Sequence, residues 1–195
     1  MPTTENKVEF GLRNTHYAVV TVGEDGKLTF GTPKPIPGSV SLTLDKSGDM
    51  VKFKADDIDY YRSKNNQGYE GTLNIARVPD EFKIDVLGET KTADGVMIEN
   101  ADAKGNEFAL LFEFQGDVKA VRHVMYYCSA DRASVSSTTK DSGEPNTSDL
   151  AIIASPRPDT RNVKANTRND VTQAVYDNWF VSVYEVTETP ETPEG

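Results

Sequence analysis

The sequence predicts a mainly β chain, with two packed β-sheets in a sandwich- or barrel-like arrangement and one flanking α-helix. Three features point there. Apolar residues alternate over short runs bounded by turn chemistry, as in SVSLTLD at 39–45. Two further runs, NEFALLFEFQ and VKAVRHVMYYCSA, flank Gly116-Asp117, a pair suited to a type II′ hairpin turn. One stretch, VPDEFKIDVLGE, carries the punctuation of a helix.

In chain order, a first strand is expected at His16–Val22. The run at 39–45 puts Val40, Leu42 and Leu44 on one face and Ser39, Ser41 and Thr43 on the other. Lys46-Ser47-Gly48-Asp49 reads as a turn, and MVKFKA returns with Val51, Phe53 and Ala55 opposed to Lys52 and Lys54. These two runs are expected to pair as a hairpin with one buried face. A strand at Gly71–Arg77 follows, then a helix at Pro79–Leu87. Pro79 suits the first helical position, Asp80 and Glu81 sit at the positive end of the dipole, and Gly88 can close it in the left-handed conformation. Phe82 and Val86, four apart, form its buried stripe with Leu87.

In the Gly116-Asp117 hairpin, the turn sets Phe112 opposite Val121, Leu110 opposite His123 and Phe108 opposite Met125, all on one face. Leu111, Glu113, Arg122, Val124 and Tyr126 share the other, with Glu113 and Arg122 as diagonal neighbours. Later strands are expected at Ser148–Ala154 and Trp179–Val186, with a short helix at Asp170–Asn178. Segments 91–105 and 132–147, rich in Asp, Gly, Ser and Thr, read as long loops.

At 195 residues the chain suits one domain with its own core. No run approaches the ~18–20 consecutive apolar residues of a membrane span. The start, MPTTENKVEF, has no apolar stretch behind basic residues, so no secretory signal is expected. A single cysteine, Cys128, excludes an internal disulfide framework and fits a reducing cytosol. The net charge of -10 argues against tight binding to phosphate backbones. Residues 188–195 combine Pro with Glu188, Glu191 and Glu194 and are expected to form a disordered acidic tail. Residues 1–187 are then one domain with a flexible N-terminal arm.

Catalytic and metal signatures fail on inspection. Asn100-Ala-Asp102-Ala-Lys104-Gly105 has a Lys at the fifth position of a calcium loop, and Leu111 where the bidentate acid belongs. Ser137-Thr-Thr-Lys140 matches S-x-x-K but lies in loop composition, where nothing brings Lys beside Ser. His123 and Cys128, five apart on one strand, are expected on opposite faces, with His123 a core-face residue holding a satisfied hydrogen bond. Asp56, Asp57 and Asp59 lack a partner base and read as a solvated turn. Asn146-Thr-Ser is a glycosylation sequon only in an exported chain. The expectation is no enzyme, no cofactor and no metal.

The stretch DIDYYRSKNNQGYEGTLNI, from residue 57, places Tyr60, Tyr61 and Tyr69 among Asn65, Asn66 and Gln67. It is too aromatic for an idle loop and too polar for a core. Within the block DDIDYYRSKNNQGYEGTLNIARVPDEFKIDVLG, and together with KVEFGLRNTHYAVV, FALLFEFQGDVKAVRHVMYYC, LAIIASPRP and NWFVSVY, it resembles the major tail protein (tail tube protein) family of long-tailed, non-contractile phages, the siphovirus type. The resemblance covers most of residues 7–185 and rests on order and extent, not on one motif.

That resemblance implies a tail-tube fold, two β-sheets packed at a steep angle beside a helix. It implies subunits joined head-to-tail in six-fold rings whose inner sheets close a barrel, stacked into the tube through which DNA leaves the virion. Implied partners are other copies of the chain and the tape measure, tail terminator and distal tail proteins. DNA would pass without specific binding, no membrane is involved, and assembly takes place in the host cytoplasm. Asp56–Glu70 then reads as a loop that docks onto a subunit of the adjacent ring. Its contact candidates are Asp57, Asp59, Tyr60, Tyr61, Asn65, Asn66 and Tyr69, since Tyr offers large area with few rotors and Asn adaptable hydrogen bonds. An acidic lumen leaves the duplex free to slide, a field that Lys52 and Lys54 would weaken if their strand faced it. A different class fits the same tyrosines: a β-sandwich binding module that recognises carbohydrate or peptide through exposed aromatics.

Overall fold

The computed structural model describes residues 5–186 except 50, 56, 64, 138, 140–142 and 144, and only the backbone of 51–53, 55, 59, 60, 62 and 63. The acidic tail, the first four residues, Asp56 and Lys140 of the S-x-x-K pattern therefore lie outside the described residues. The elements are β1 (Glu9–Val22), β2 (Leu28–Phe30), β3 (Lys34–Pro35), β4 (Ser39–Ser47), β5 (Val51–Ala55), β6 (Ile58–Ser63), β7 (Gly68–Ile75), α1 (Asp80–Asp85), β8 (Thr90–Lys91), β9 (Met97–Ile98), β10 (Phe108–Gly116), β11 (Val121–Ala130), β12 (Ser148–Ala154), β13 (Lys164–Asn166) and α2 (Gln173–Asn178). The chain is mainly β, as its alternating runs predict.

One ladder runs β2-β1-β10-β11-β12-β7-β4, with β3 on β1 and β13 on β11. Strand β11 is its corner. Residues His123–Met125 pair with β13, whereas Cys128–Ala130 pair with β12. Two limbs thus share β11 and enclose one core. Tyr17, Phe108, Leu110, Phe112 and Met125 from the first limb meet Leu73, Ile75, Leu150 and Ile152 from the second, and Phe82 and Val86 of α1 close one end. Helix α1 is held by its last residue: Asp85 accepts hydrogen bonds from the Tyr17 hydroxyl (2.9 Å) and the Lys34 ammonium (2.6 Å).

The outer face of the first limb is buried too, which explains why Phe108–Phe112 shows no wet face. Ala18, Ala109, Leu111, Val124, Tyr126 and Trp179 form a second cluster, packed by Val175, Phe180, Val183 and Tyr184. The expected strand at Trp179–Val186 is not formed. The backbone N–H groups of Trp179, Val181 and Ser182 donate to carbonyls of Tyr176 and Asn178 in turns behind α2, and the aromatic side chains pack against the limb. Arg157, 5% exposed, holds this cover down: its guanidinium grips Asp159 through two bonds (2.7 and 2.8 Å) and donates to Glu185 at 3.0 Å.

The β10–β11 hairpin has the predicted faces but a different register. Phe112 pairs with His123, Leu110 with Met125 and Phe114 with Val121. Strand β10 runs through Gly116, so the connection is Asp117–Ala120 and not a two-residue turn. Asn6 fixes that longer turn by donating to the Lys119 carbonyl (2.7 Å) and accepting from the N–H groups of Val118 and Lys119. Because the slip is two residues, the side chains of Leu110–Phe114 and Val121–Met125 keep their faces. It also sets Glu113 directly opposite Arg122, in an ion pair at 2.8 Å.

Two further expectations change. A register shift between Phe108 and Leu110 bulges β11 and returns Cys128 to the core that holds Met125, so His123 and Cys128 are not on opposite faces. Cys128 is nonetheless no nucleophile, since full burial raises its thiol pKa and leaves it neutral. On β4, a bulge between Ser39 and Ser41 turns Val40 out to solvent, while Leu42 and Leu44 pack on the core.

Candidate functional site

Strands β4 and β7 pair with each other along their whole length, from Ser39↔Ile75 to Ser47↔Gly68. The expected partner of β4, the run at 51–55, instead pairs with Ile58–Ser63, from Val51↔Ser63 to Ala55↔Ile58. Both ladders are antiparallel and nested, so β4–β5–β6–β7 is one long hairpin. Its base belongs to the second limb. Its distal part is a two-stranded ribbon paired to nothing else among the described residues.

The expected docking loop Asp56–Glu70 is therefore mostly strand. The physical reason is local: Ile58–Ser63 finds cross-strand partners in β5, and Gly68–Ile75 finds them on both sides, in β4 and β12. Asp57 forms the turn with φ 62, a left-handed conformation that Asp tolerates, and is exposed. Asp59 pairs with Lys54 in β5, and Tyr61 pairs with Phe53. Tyr60 lies between them in β6. Tyr61, midway along the ribbon, is 58% exposed, and Ile58, at its far end, 61%. Asn65 and Asn66 are exposed where the ribbon rejoins the sheet, and Asn66 Oδ1 accepts from the Gly68 N–H at 3.0 Å. Tyr69 parts from the group. It sits in β7, half-buried against the core, with the Lys164 ammonium 4.8 Å from its ring centre.

The second limb offers two more surfaces. Strand β4 is terminal in the ladder, so the outer edge of a nine-residue strand is unpaired among the described residues. Such an edge is a template for another chain, and monomers normally blunt it. The limb's outward face is set by alternation: Leu42, Leu44, Leu73, Ile75, Leu150 and Ile152 face the core, so their neighbours face away. Across the sheet these form rows Asp45–Glu70–Ile153, Thr43–Thr72–Ala151 and Ser41–Asn74–Asp149. Three carboxylates and no Lys or Arg make this a wet acidic wall, tightened where Asn74 donates to Asp149 at 2.6 Å.

His123 departs from expectation. Its ring stacks on Phe112 at 5.0 Å, but its Nε2 is buried without a hydrogen-bond partner. Burial first, and the Lys164 charge second, push its pKa down to about 4. A histidine with an unfolded pKa near 6.5 that resists protonation when folded makes stability fall as pH drops from about 6.5 towards 4. The loss should reach roughly 3 kcal/mol once the folded-state imidazole is protonated. His123→Phe should flatten that part of the curve, measured as urea midpoint against pH; an unchanged slope would assign the acid sensitivity elsewhere.

Among the described residues, no three His, Cys, Asp or Glu side chains converge as metal ligands, and no helix is long and apolar enough to cross a membrane. In the Asn100–Gly105 segment, Asn100 Oδ1 is taken up by the Asp102 N–H at 2.8 Å.

A family model described as phage tail tube protein matches residues 3–191. No curated protein sequence matches the chain. Among solved structures, the chain is similar to the tube-terminating cap of an anti-feeding prophage, determined by cryo-EM, at a TM-score of 0.45 and 11% identity over 86% of this chain and 98% of that one. A likeness that distant carries no weight for function. The family match spans nearly the full length, including the ribbon, the acidic wall and the free edge. The chain belongs to the phage tail tube protein family and is a structural protein of the virion tail.

Proposed function

We propose that the protein is a non-enzymatic building block that closes into hexameric rings and stacks them into the tail tube, the conduit for DNA. The observation that carries this reading is the β5–β6 ribbon. A lone two-stranded hairpin is marginal in water, because it buries too little area to offset its ordering entropy. Extending one beyond the sheet, with Ile58 and Tyr61 exposed, is favourable only where a neighbour covers it. Ring closure uses the second limb. The free edge of β4 meets the opposite end of the next copy's limb, near Asp131–Ser134, where the backbone already hydrogen-bonds to β12. Joining the two unlike ends of one sheet head-to-tail generates a rotation and so a closed barrel without edges.

In that barrel the wall carrying Asp45, Glu70 and Asp149 lines the lumen. Like charge keeps the duplex hydrated and unbound, since there are no cations to release condensed counterions. The tape measure inside the tube and the terminator and distal tail proteins at its ends complete the set of partners.

The test replaces Val51–Ser63 with a short Gly-Ser connection. The boundary excludes Tyr69 because that residue packs on the core. The variant should unfold cooperatively like the parent, and should form rings but no tubes in negative-stain micrographs at concentrations where the parent forms tubes. Loss of cooperative unfolding would make the ribbon part of the subunit's own core and overturn the assignment.

A further inference from the structure

The barrel that the second limbs would form has two unlike rims. One is at Ser47↔Gly68, where the ribbon is rooted, and the other at Ser39↔Ile75↔Ser148. An open pocket of about 400 Å³ lies at that other rim, where Arg77 and Val78 follow β7 and Ser148 begins β12. Its floor is apolar: Val78 is buried and Leu87 packs partly on the core, while Val135 stands fully exposed beside them. Its lip carries Arg77, Lys83 and Arg132 against Glu89 and Glu99. Arg77 is engaged by Asp80 at 3.3 Å, and Arg132 by Glu99 at 3.0 Å. The Lys83 ammonium has no carboxylate partner among the described residues.

Resting on the tube reading above, we infer that this pocket receives the ribbon turn, Asp57-Ile58, of a copy in the adjacent ring. Rings stacked with one polarity bring unlike rims together, so the rim that roots the ribbon abuts the rim that carries the pocket. That juxtaposition holds whatever course the ribbon takes beyond its root. The turn displays matching chemistry. Ile58 is 61% exposed, and next to it the exposed Asp57 carboxylate has no ion pair among the described residues. The chain's own ribbon does not fill the pocket, since Ile58 and Tyr61 both stay more than half exposed. Seating Ile58 on the floor beside Val78, Leu87 and Val135 takes both apolar surfaces out of water. The carboxylate of Asp57 then arrives at the lip, where the three N–H donors of Lys83 lack an anion.

The experiment puts the photo-crosslinker p-benzoylphenylalanine in place of Ile58 in the full chain. Tubes are assembled from this chain and isotopically heavy parent, irradiated, and mapped by mass spectrometry after trypsin, so that a link between copies joins a light peptide to a heavy one. Heavy partners should be the peptides 78–83, 84–91 and 133–140, which contain Val78, Leu87 and Val135. Lys83→Glu should form rings yet lengthen into tubes about tenfold less readily, because a modest ion pair is lost at every subunit of a ring junction. Adding Asp57→Lys to Lys83→Glu should restore lengthening, which it would not do if the single change merely damaged α1. Links confined to other heavy peptides, a Lys83→Glu chain that stacks like the parent, or a charge swap that restores nothing would overturn the receptor alone. A parent chain that never forms tubes would overturn the tube reading and the receptor with it.

Discussion

Phe108→Ala should lower the unfolding free energy by about 3–5 kcal/mol, the range for truncating a buried Phe. Phe108 is fully buried at the start of β10, where both limbs and α1 converge. Its ring meets that of Phe82 edge-on, with centroids 5.4 Å apart, so truncation removes the contact that seats the helix as well as the transfer energy. Collapse around the cavity is restricted, because the neighbours Leu110, Cys128 and Leu150 are themselves fully buried on paired strands. Lys119→Ala in the same hairpin is the control. Its ammonium lies 4.2 Å over the Tyr176 ring at the surface, a contact of about 0.5–1 kcal/mol. Urea unfolding of the two variants measures both; equal losses would mean that β10 presents a different face to the core.

The alternation that predicts this core is robust because faces repeat every two residues. The β10–β11 register differs from the Gly116-Asp117 turn reading by two, so Phe108, Leu110, Phe112 and Met125 stay inside. Where the sequence misleads, a bulge or a close approach interrupts the period. Gly11 and Asn14 take positive φ and shift the pairing of β1 with β10, which hides the first half of a fourteen-residue strand from a search for alternation. Trp179–Val186 reads as a strand from its apolar spacing, yet its rings cover a limb whose other face is already buried. Nothing in the spacing distinguishes a paired strand from a lid.

The candidate contact residues divide along the same line. Asp57, Asp59, Tyr60 and Tyr61 come together on the ribbon, as their closeness in sequence requires. Tyr69 stands apart from them in β7, because its place is decided by long-range pairing with Ala154 and Lys46, which no local pattern carries. Lys46-Ser47-Gly48-Asp49 looks like a hairpin turn and is not. Gly48 is required there by a close approach: a Cβ would stand 2.1 Å from the Asn65 carbonyl oxygen, across the hairpin where it leaves the sheet. The true turn, at Asp57, uses a residue with weaker turn signature. His123 is legible as a core-face histidine, but its unpartnered nitrogen depends on which groups the other limb brings opposite it. The acidic wall was equally beyond local reading: Asp45, Glu70 and Asp149 come from three strands whose order follows only from the ladder.

Gly68→Ala should cost about 2–6 kcal/mol, from two separate causes. At φ +100 an L side chain is strained by about 1–3 kcal/mol. A Cβ would also stand 1.9 Å from the Ala154 carbonyl oxygen, so β12 itself must move, and overpacking of that kind costs about 1–3 kcal/mol. Gly95→Ala separates the two: φ there is +82, but nothing lies within 4 Å of the added carbon, so only the conformational part, about 1 kcal/mol, should appear. The position matters for assembly because Gly68 is the first residue of β7, where the chain passes from ribbon to limb, and its N–H is capped by Asn66. Displacing β12 there re-aims the ribbon by a rotation at its root, and a small angle at the root becomes a displacement of several ångströms at Tyr61. Tube formation by Gly68→Ala should therefore fail at temperatures well below its own melting transition, while Gly95→Ala should assemble normally. Equal melting temperatures for the two variants would show that the junction is loosely packed, and the fixed reach of the ribbon would then have no structural basis.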